Sequence, residues 1–160
     1  MNFRVGFGYD VHAMKEGEPF ILGGIEIPHH QGPFGHSDAD VLIHSICDAL
    51  LGATCLGDIG RLFPDNDPQY KGIDSKILLK EVIKRLRAEN YQIGNIDCTI
   101  ALQLPKIKPY APAMQARLSE VMEIPKNNIS IKATTTEKLG FVGREEGISA
   151  YVVALVYKLG

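Results

Sequence analysis

The order of apolar, glycine-rich and charged segments along this 160-residue chain predicts an α+β fold. One domain, residues 1–160, is expected, with a mostly antiparallel or mixed sheet of four strands, helices packed on one face of it, and an N-terminal hairpin. Three observations carry that expectation. Strand-like segments open and close the chain, two helix-to-strand units follow one another after residue 75, and no repeat, low-complexity tract or long linker interrupts them. A chain of this length buries roughly 70% of the surface its unfolded form exposes, enough for one core without disulfides.

Phe3 to His12 reads as the first strand. Phe20-Ile21-Leu22 and Ile25-Glu26-Ile27 read as a hairpin, because Gly23-Gly24 between them suits the positive φ of a tight turn. After Gly32-Pro33-Phe34-Gly35, Ser37 or Asp38 is expected to cap a helix running to about Thr54, with Leu42, Ile46, Ala49, Leu50 and Ala53 on its apolar face. Gly57-Asp58-Ile59-Gly60 and Phe63-Pro64-Asp65-Asn66-Asp67-Pro68 are dense in turn formers and carboxylates, and read as a surface loop of the kind that closes over ligands. A second helix, about Ser75 to Glu89, is expected to turn Ile77, Leu78, Val82, Ile83 and Leu86 inward and to lead into a strand near Ile96 to Leu104. A helix from about Pro109 to Met122, a strand Ile129 to Thr134 and a terminal strand Ile148 to Tyr157 complete the pattern, which describes a sheet of ferredoxin-like type.

Composition excludes several function classes. With 45% hydrophobic and 22% charged residues the chain is neither disordered nor fibrous. Seventeen basic against nineteen acidic residues argue against a nucleic-acid partner held through many phosphate contacts, so any phosphate site is local. Cys47, Cys55 and Cys98 are odd in number and contain no Cys-x-x-Cys pair, as expected of reduced, mostly buried thiols. The start, Met1 to Gly6, lacks the apolar core of a signal peptide, and no later apolar run is long enough to span a bilayer. No membrane partner is expected, and a cytoplasmic or equivalent reducing compartment is.

The residues that carry chemistry fall in three places. Asp10 and His12, two apart at the end of a strand, emerge on one face and can grip one ion. His44 lies on the first helix between Asp40 and Asp48, each four residues away, where a carboxylate can orient the imidazole. Two imidazoles and a carboxylate make a three-ligand set of the catalytic zinc type, with a fourth position open to water or substrate. Spacing alone leaves a second reading, in which Asp10 and His12 end a strand in solvent and His44 is a hydrogen-bonded helix residue. His36 and Ser37 read either as phosphate contacts or as a loop residue and a helix cap. His29 and His30, after Pro28, have no partner at ligand spacing and read as solvated loop residues. Lys132 to Phe141 crowds Thr134, Thr135, Thr136 and Glu137 at a strand end, either to donate to phosphate and bind Mg²⁺ or simply for β propensity. Gly6-Phe7-Gly8 lacks the third glycine of a dinucleotide site, since Val11 stands there, and no P-loop is present.

Gly8-Tyr9-Asp10-Val11-His12, Gly35-His36-Ser37-Asp38-Ala39-Asp40 with His44, Gly57-Asp58-Ile59-Gly60, Phe63-Pro64-Asp65 and Lys132 to Phe141, taken in order over nearly the whole chain, resemble the 2-C-methyl-D-erythritol 2,4-cyclodiphosphate synthase family. The resemblance implies a cyclising phosphorus–oxygen lyase of non-mevalonate isoprenoid biosynthesis. Its reaction converts 4-diphosphocytidyl-2-C-methyl-D-erythritol 2-phosphate to the cyclic diphosphate and CMP. It further implies that Asp10, His12 and His44 hold Zn²⁺ on the β-phosphate, and that Glu137 holds Mg²⁺ or Mn²⁺ between the α and β phosphates. By the same resemblance His36 and Thr135 stabilise the transition state, and Ser37 contacts phosphate. Asp58, Ile59, Gly60, Phe63, Pro64, Asp65, Asn66 and Asp67 meet the erythritol moiety. Leu102, Lys106, Ile107 and Lys108 with Thr134 resemble the cytidine pocket, although Leu102 and Leu104 are larger than their counterparts elsewhere in the family. The family assembles as homotrimers with active sites between subunits, and Phe141 and Arg144 resemble positions lining a central cavity that can accept an isoprenoid diphosphate. A metal-dependent phosphohydrolase with the same ligands, which would give a linear phosphate, and a non-catalytic binding module stay as rival readings.

Overall fold

The computed structural model describes residues 2–64 and 66–158. A long first strand, β1 (Asn2–Glu16), is followed by a two-stranded hairpin of β2 (Ile21–Leu22) and β3 (Ile25–Glu26), then by a short β4 (Gln31–Phe34). Helix α1 (Val41–Thr54), a four-residue α2 (Ile59–Leu62) and α3 (Ser75–Ala88) come next. Strand β5 (Tyr91–Ala101), α4 (Ala111–Met122), β6 (Ile129–Thr134), a single-turn α5 (Gly140–Gly143) and β7 (Gly147–Lys158) finish the chain.

The main sheet has five strands in the order β4-β1-β7-β5-β6, with β5 and β6 parallel and the other pairs antiparallel. The sequence pattern leads one to expect four. The fifth strand forms because β1 runs on past His12 to Glu16, leaving Ala13 to Glu16 free to pair with Gln31 to Phe34. The hairpin stands apart as a sheet of its own. Strand β5 begins earlier than expected, at Tyr91, and the third long helix starts at Ala111 after a 3₁₀ turn over Lys108–Tyr110.

Two glycines decide where the helical layer sits. A Cβ on Gly6 would stand 1.8 Å from the Ala49 carbonyl oxygen, and one on Gly8 would stand 1.9 Å from that of Ser45. Backbone therefore lies against backbone, and α1 runs directly over β1. The Ser45 hydroxyl donates to the Ala150 carbonyl at 3.0 Å and holds the helix to β7 as well. Leu42, Ile46, Leu50, Leu79, Leu86, Ile96 and Ile100 are fully buried in this core, each contributing about 1.5–3 kcal/mol by burial. On α3, Leu78, Val82, Ile83 and Leu86 face inward as expected and Leu79 joins them, whereas Ile77 is exposed, because a buried stripe through 75, 78, 79, 82, 83 and 86 leaves position 77 off it.

The opposite face of the sheet carries exposed apolar side chains. Along β1, Phe3, Val5, Phe7, Tyr9 and Val11 alternate with the glycines and are exposed, as are Tyr151 and Val153 on the neighbouring β7. Among the described residues, no helix is long and apolar enough to cross a membrane. Cys47 and Cys98 are buried and Cys55 is exposed, all three as free thiols.

Candidate active site

Because side chains alternate along a strand, Asp10 and His12 leave β1 on the side that carries Gly6 and Gly8, which is the side of α1. The close approach that those glycines permit brings His44 down onto the pair. Asp10 Oδ2 lies 2.9 Å from His12 Nε2 and 3.1 Å from His44 Nδ1, and the two imidazole nitrogens are 3.2 Å apart. The three side chains are half-buried, and this is the one group of potential metal ligands of its kind among the described residues. A tetrahedral ion bonded at about 2.0–2.1 Å needs ligand atoms about 3.3 Å apart. The three edges here match that requirement within a few tenths of an ångström, and two imidazoles with one carboxylate suit zinc.

The electrostatics follow from the same contacts. Burial pushes the Asp10 carboxyl upward, but its hydrogen bonds with His12 and His44 and their charges outweigh burial and bring it down to about 2. Burial pushes His44 down most, but the hydrogen bond and charge of Asp10, with the charges of Asp40 and Asp38, together outweigh it, so its net shift is upward.

The expectation that Asp40 or Asp48 orients His44 is not met. Asp40 is fully buried and its carboxylate accepts from Gly23 and Gly24 of the hairpin and from Ile43, so that it, and not Ser37 or Asp38, caps α1. Asp48 accepts from the Ile59 backbone at 2.7 Å. Both are committed to backbone donors, and neither is hydrogen-bonded to the imidazole. One residue outside the predicted set touches it instead, and a second stands behind that one: His44 Nε2 lies 2.9 Å from Ser75 Oγ, and Ser75 donates to Asp38. Ser75 reads in sequence only as a helix start, and Asp38 only as a cap.

Asp10, His12, His36, Ser37, His44, Ile59, Gly60 and Phe63 line a single cleft of about 290 Å³, closed further by Gly35, Tyr70, Ile73 and Leu78. His36 meets the Asp67 carbonyl at 3.3 Å and its own carbonyl accepts from Gly72, so it ties the loop to the cleft. The loop is more ordered than expected: it holds α2, capped by Asp58, and a 3₁₀ turn Pro68–Tyr70 capped by Asp67. Asp58, Pro64, Asn66 and Asp67 do not line the cleft. Asp65 falls outside the described residues.

Leu102, Lys106, Ile107, Lys108, Thr134 and Thr135 come together in a separate cavity of about 140 Å³, with Gln103, Pro105 and Ala133. No residue is shared between the two. In the sheet, Val11 pairs with Ser149, Ser149 with Ala101, and Ala101 with Thr134. Three strand spacings, about 14 Å, thus separate the metal-ligand end of β1 from the threonine end of β6 at the same edge of the sheet. Glu137 is exposed and, with Lys138, adopts left-handed backbone at φ 55° and 64°. Such conformations are costly for non-glycine residues and persist where the surrounding structure imposes them. Phe141 lines a further cavity with Tyr151 and Ser149, and Arg144 is exposed and paired with Glu146. Of the histidines read as solvated, His30 is exposed, but His29 is partly buried, with Nε2 out of water and unbonded.

Comparison with known proteins gives the same picture. A Porphyromonas gingivalis 2-C-methyl-D-erythritol 2,4-cyclodiphosphate synthase is 62% identical over 154 residues, covering 96% of this chain and 95% of its own. The bifunctional IspDF of Campylobacter jejuni superposes with a TM-score of 0.95 at 40% identity, over 99% of this chain and 43% of that longer one. The CDP complex of Plasmodium falciparum IspF superposes with a TM-score of 0.88 at 35% identity, covering 99% and 98% of the two chains. The model of the YgbB family matches residues 3–157. With the ligand trio, the cleft and these relatives in agreement, the chain belongs to the YgbB family, that of the 2-C-methyl-D-erythritol 2,4-cyclodiphosphate synthases.

Proposed function

We propose that this chain, acting over residues 1–160 as one catalytic domain, cyclises 4-diphosphocytidyl-2-C-methyl-D-erythritol 2-phosphate to the 2,4-cyclodiphosphate with release of CMP. The observation that carries the reading is the convergence of Asp10, His12 and His44 at ligand spacing in an open cleft, in a chain 62% identical to a synthase of that name. An oxygen of the 2-phosphate attacks the β-phosphorus, that P–O bond forms, the bond from the β-phosphorus to the oxygen of CMP breaks, and the electron pair leaves with CMP. Such a transfer asks the protein for positioning and charge neutralisation.

Asp10, His12 and His44 would hold a zinc ion, which would supply a Lewis acid to the substrate's phosphate groups, and Glu137 would hold Mg²⁺ or Mn²⁺ with the substrate diphosphate. His36 and Ser37, in the cleft wall, donate to phosphate oxygens, and Thr135 does the same from the nucleotide side. Ile59, Gly60 and Phe63 bound the erythritol end, with Asp58, Pro64, Asn66 and Asp67 in the loop beside them. Leu102, Ile107, Lys108 and Thr134 enclose the cytidine, and Lys106 reaches its phosphates.

The separation of the metal cleft from the nucleotide cavity supports active sites shared between subunits. We infer a homotrimer, held by the exposed apolar face of β1 and β7, with Phe141 and Arg144 near its axis where an isoprenoid diphosphate can enter. A soluble nucleotide substrate and three unpaired cysteines fit a cytoplasmic setting.

Phosphorus NMR of the purified protein with substrate, Zn²⁺ and Mg²⁺ tests the reaction. CMP and a cyclic diphosphate are expected; inorganic phosphate in their place would mean a hydrolase and overturn it.

A further inference from the structure

His44 has two ring nitrogens with different neighbours. Nδ1 faces Asp10 Oδ2 at 3.1 Å and His12 Nε2 at 3.2 Å. Nε2 faces two hydroxyls, Ser75 Oγ at 2.9 Å and Ser37 Oγ at 3.1 Å. A serine hydroxyl has one hydrogen to give, and that of Ser75 goes to Asp38 Oδ1 in a short contact. The Ser75 oxygen is then left as an acceptor, so the hydrogen between it and the imidazole has to come from Nε2. A neutral ring protonated at Nε2 presents a lone pair at Nδ1, whereas the imidazolium keeps a second hydrogen there for the Asp10 carboxylate.

We propose that Ser75 and Asp38 are positioning residues for the metal site, holding His44 in its Nε2–H form with the Nδ1 lone pair aimed at the space between Asp10 and His12. The inference rests on the metal reading of that trio given above. Ser75 is fully buried, so water does not compete for its hydroxyl. Asp38 is held on both oxygens: Oδ2 accepts the Ser75 backbone N–H at 3.0 Å, and Oδ1 accepts that of Asp40 at 3.2 Å. Its own N–H donates to the Ile73 carbonyl at 3.1 Å. The carboxylate also lies at the N-terminus of α3, whose dipole favours its charge. The chain from Asp38 through Ser75 to His44 thus links the start of α3 to a ligand on α1. Ser37, whose Oγ accepts the Ala39 N–H at 3.2 Å, shares the Nε2 hydrogen without deciding which nitrogen carries it.

Two readouts test the relay, neither of which needs turnover. In long-range proton–nitrogen spectra of the metal-free protein at alkaline pH, where imidazoles are neutral, His44 is expected to carry its hydrogen on Nε2. Ser75→Ala and Asp38→Asn are expected to mix the two forms and to weaken zinc binding by about 10- to 100-fold, as loss of such outer partners does elsewhere. Ser75→Ala removes only the hydroxyl and leaves the backbone bond to Asp38, so its fold is expected to survive. A parent His44 protonated at Nδ1, or parent-like zinc affinity in Ser75→Ala, would overturn the proposal. If the parent protein took up no zinc, the metal reading would fail, and the spectra of the parent and Ser75→Ala would still decide the relay.

Discussion

His44 Nδ1 and Asp10 Oδ2 lie 3.1 Å apart although 34 residues separate them in the chain, and the contact exists because helix α1 rests on two glycines of β1.

That packing makes Gly8 a sharp test. Gly8→Ala puts a methyl group into the Ser45 carbonyl, and backbone cannot swing aside as a side chain can. A loss of about 3 kcal/mol in denaturant unfolding is expected, together with loss of zinc binding as α1 lifts. Gly52→Ala is the control: it sits exposed on the same helix with nothing nearer than 4.0 Å, and is expected to gain about 0.5–1 kcal/mol.

His44→Ala should abolish stoichiometric zinc by metal analysis and lower turnover by more than about 100-fold, beyond the effect of losing an outer partner. Circular dichroism should stay that of the parent, because the hydrophobic core lies elsewhere on α1. Chelation of the parent protein should reproduce the activity loss and zinc should reverse it.

Acid should destabilise the metal-free protein through Asp10. Its folded pKa of about 2 is below the ordinary value of 3.8, so its contribution is present above pH ~4 and is lost as pH falls through about 2. The shift corresponds to about 2 kcal/mol. Asp10→Asn should flatten that limb of the stability curve; an unchanged slope would show that Asp10 does not carry it.

The exposed sheet face predicts assembly. Phe7→Asp, placing a carboxylate in the middle of the apolar stripe, should convert a trimer to monomers in sedimentation velocity. Activity should fall with the trimer if neighbouring subunits share each site, whereas a fully active monomer would remove that requirement.

Much of the fold and of the site is legible in the residue pattern itself. Strand β6 matches its expected bounds, and Leu42, Ile46, Ala49, Leu50 and Ala53 all lie in the core, because a long amphipathic period survives local detail. Asp10, His12 and His44 can be picked out because strand alternation puts two of them on one face. The orientation of His44 cannot be read in the same way, since the carboxylates four residues away on its own helix are taken by backbone donors of the hairpin and of α2. The partner that does orient it arrives from α3, 31 residues on.

Periodicity and residue chemistry, which are local, were enough to outline the long helices and strands and to single out Asp10, His12 and His44 as candidate ligands, while the family followed from the resemblance of several motifs taken in order. The direction in which β1 faces was decided by packing. Phe3, Val5, Phe7, Tyr9 and Val11 are exposed and Gly6 and Gly8 are buried, because only glycine at those two positions admits the backbone of α1. The fifth strand, the contact of Ser75 with His44 and the gap between the Asp10–His12–His44 cleft and the Leu102–Thr135 cavity have the same origin. Each depends on which segments meet across the fold, and a contact between distant residues has no signature in the spacing of either one.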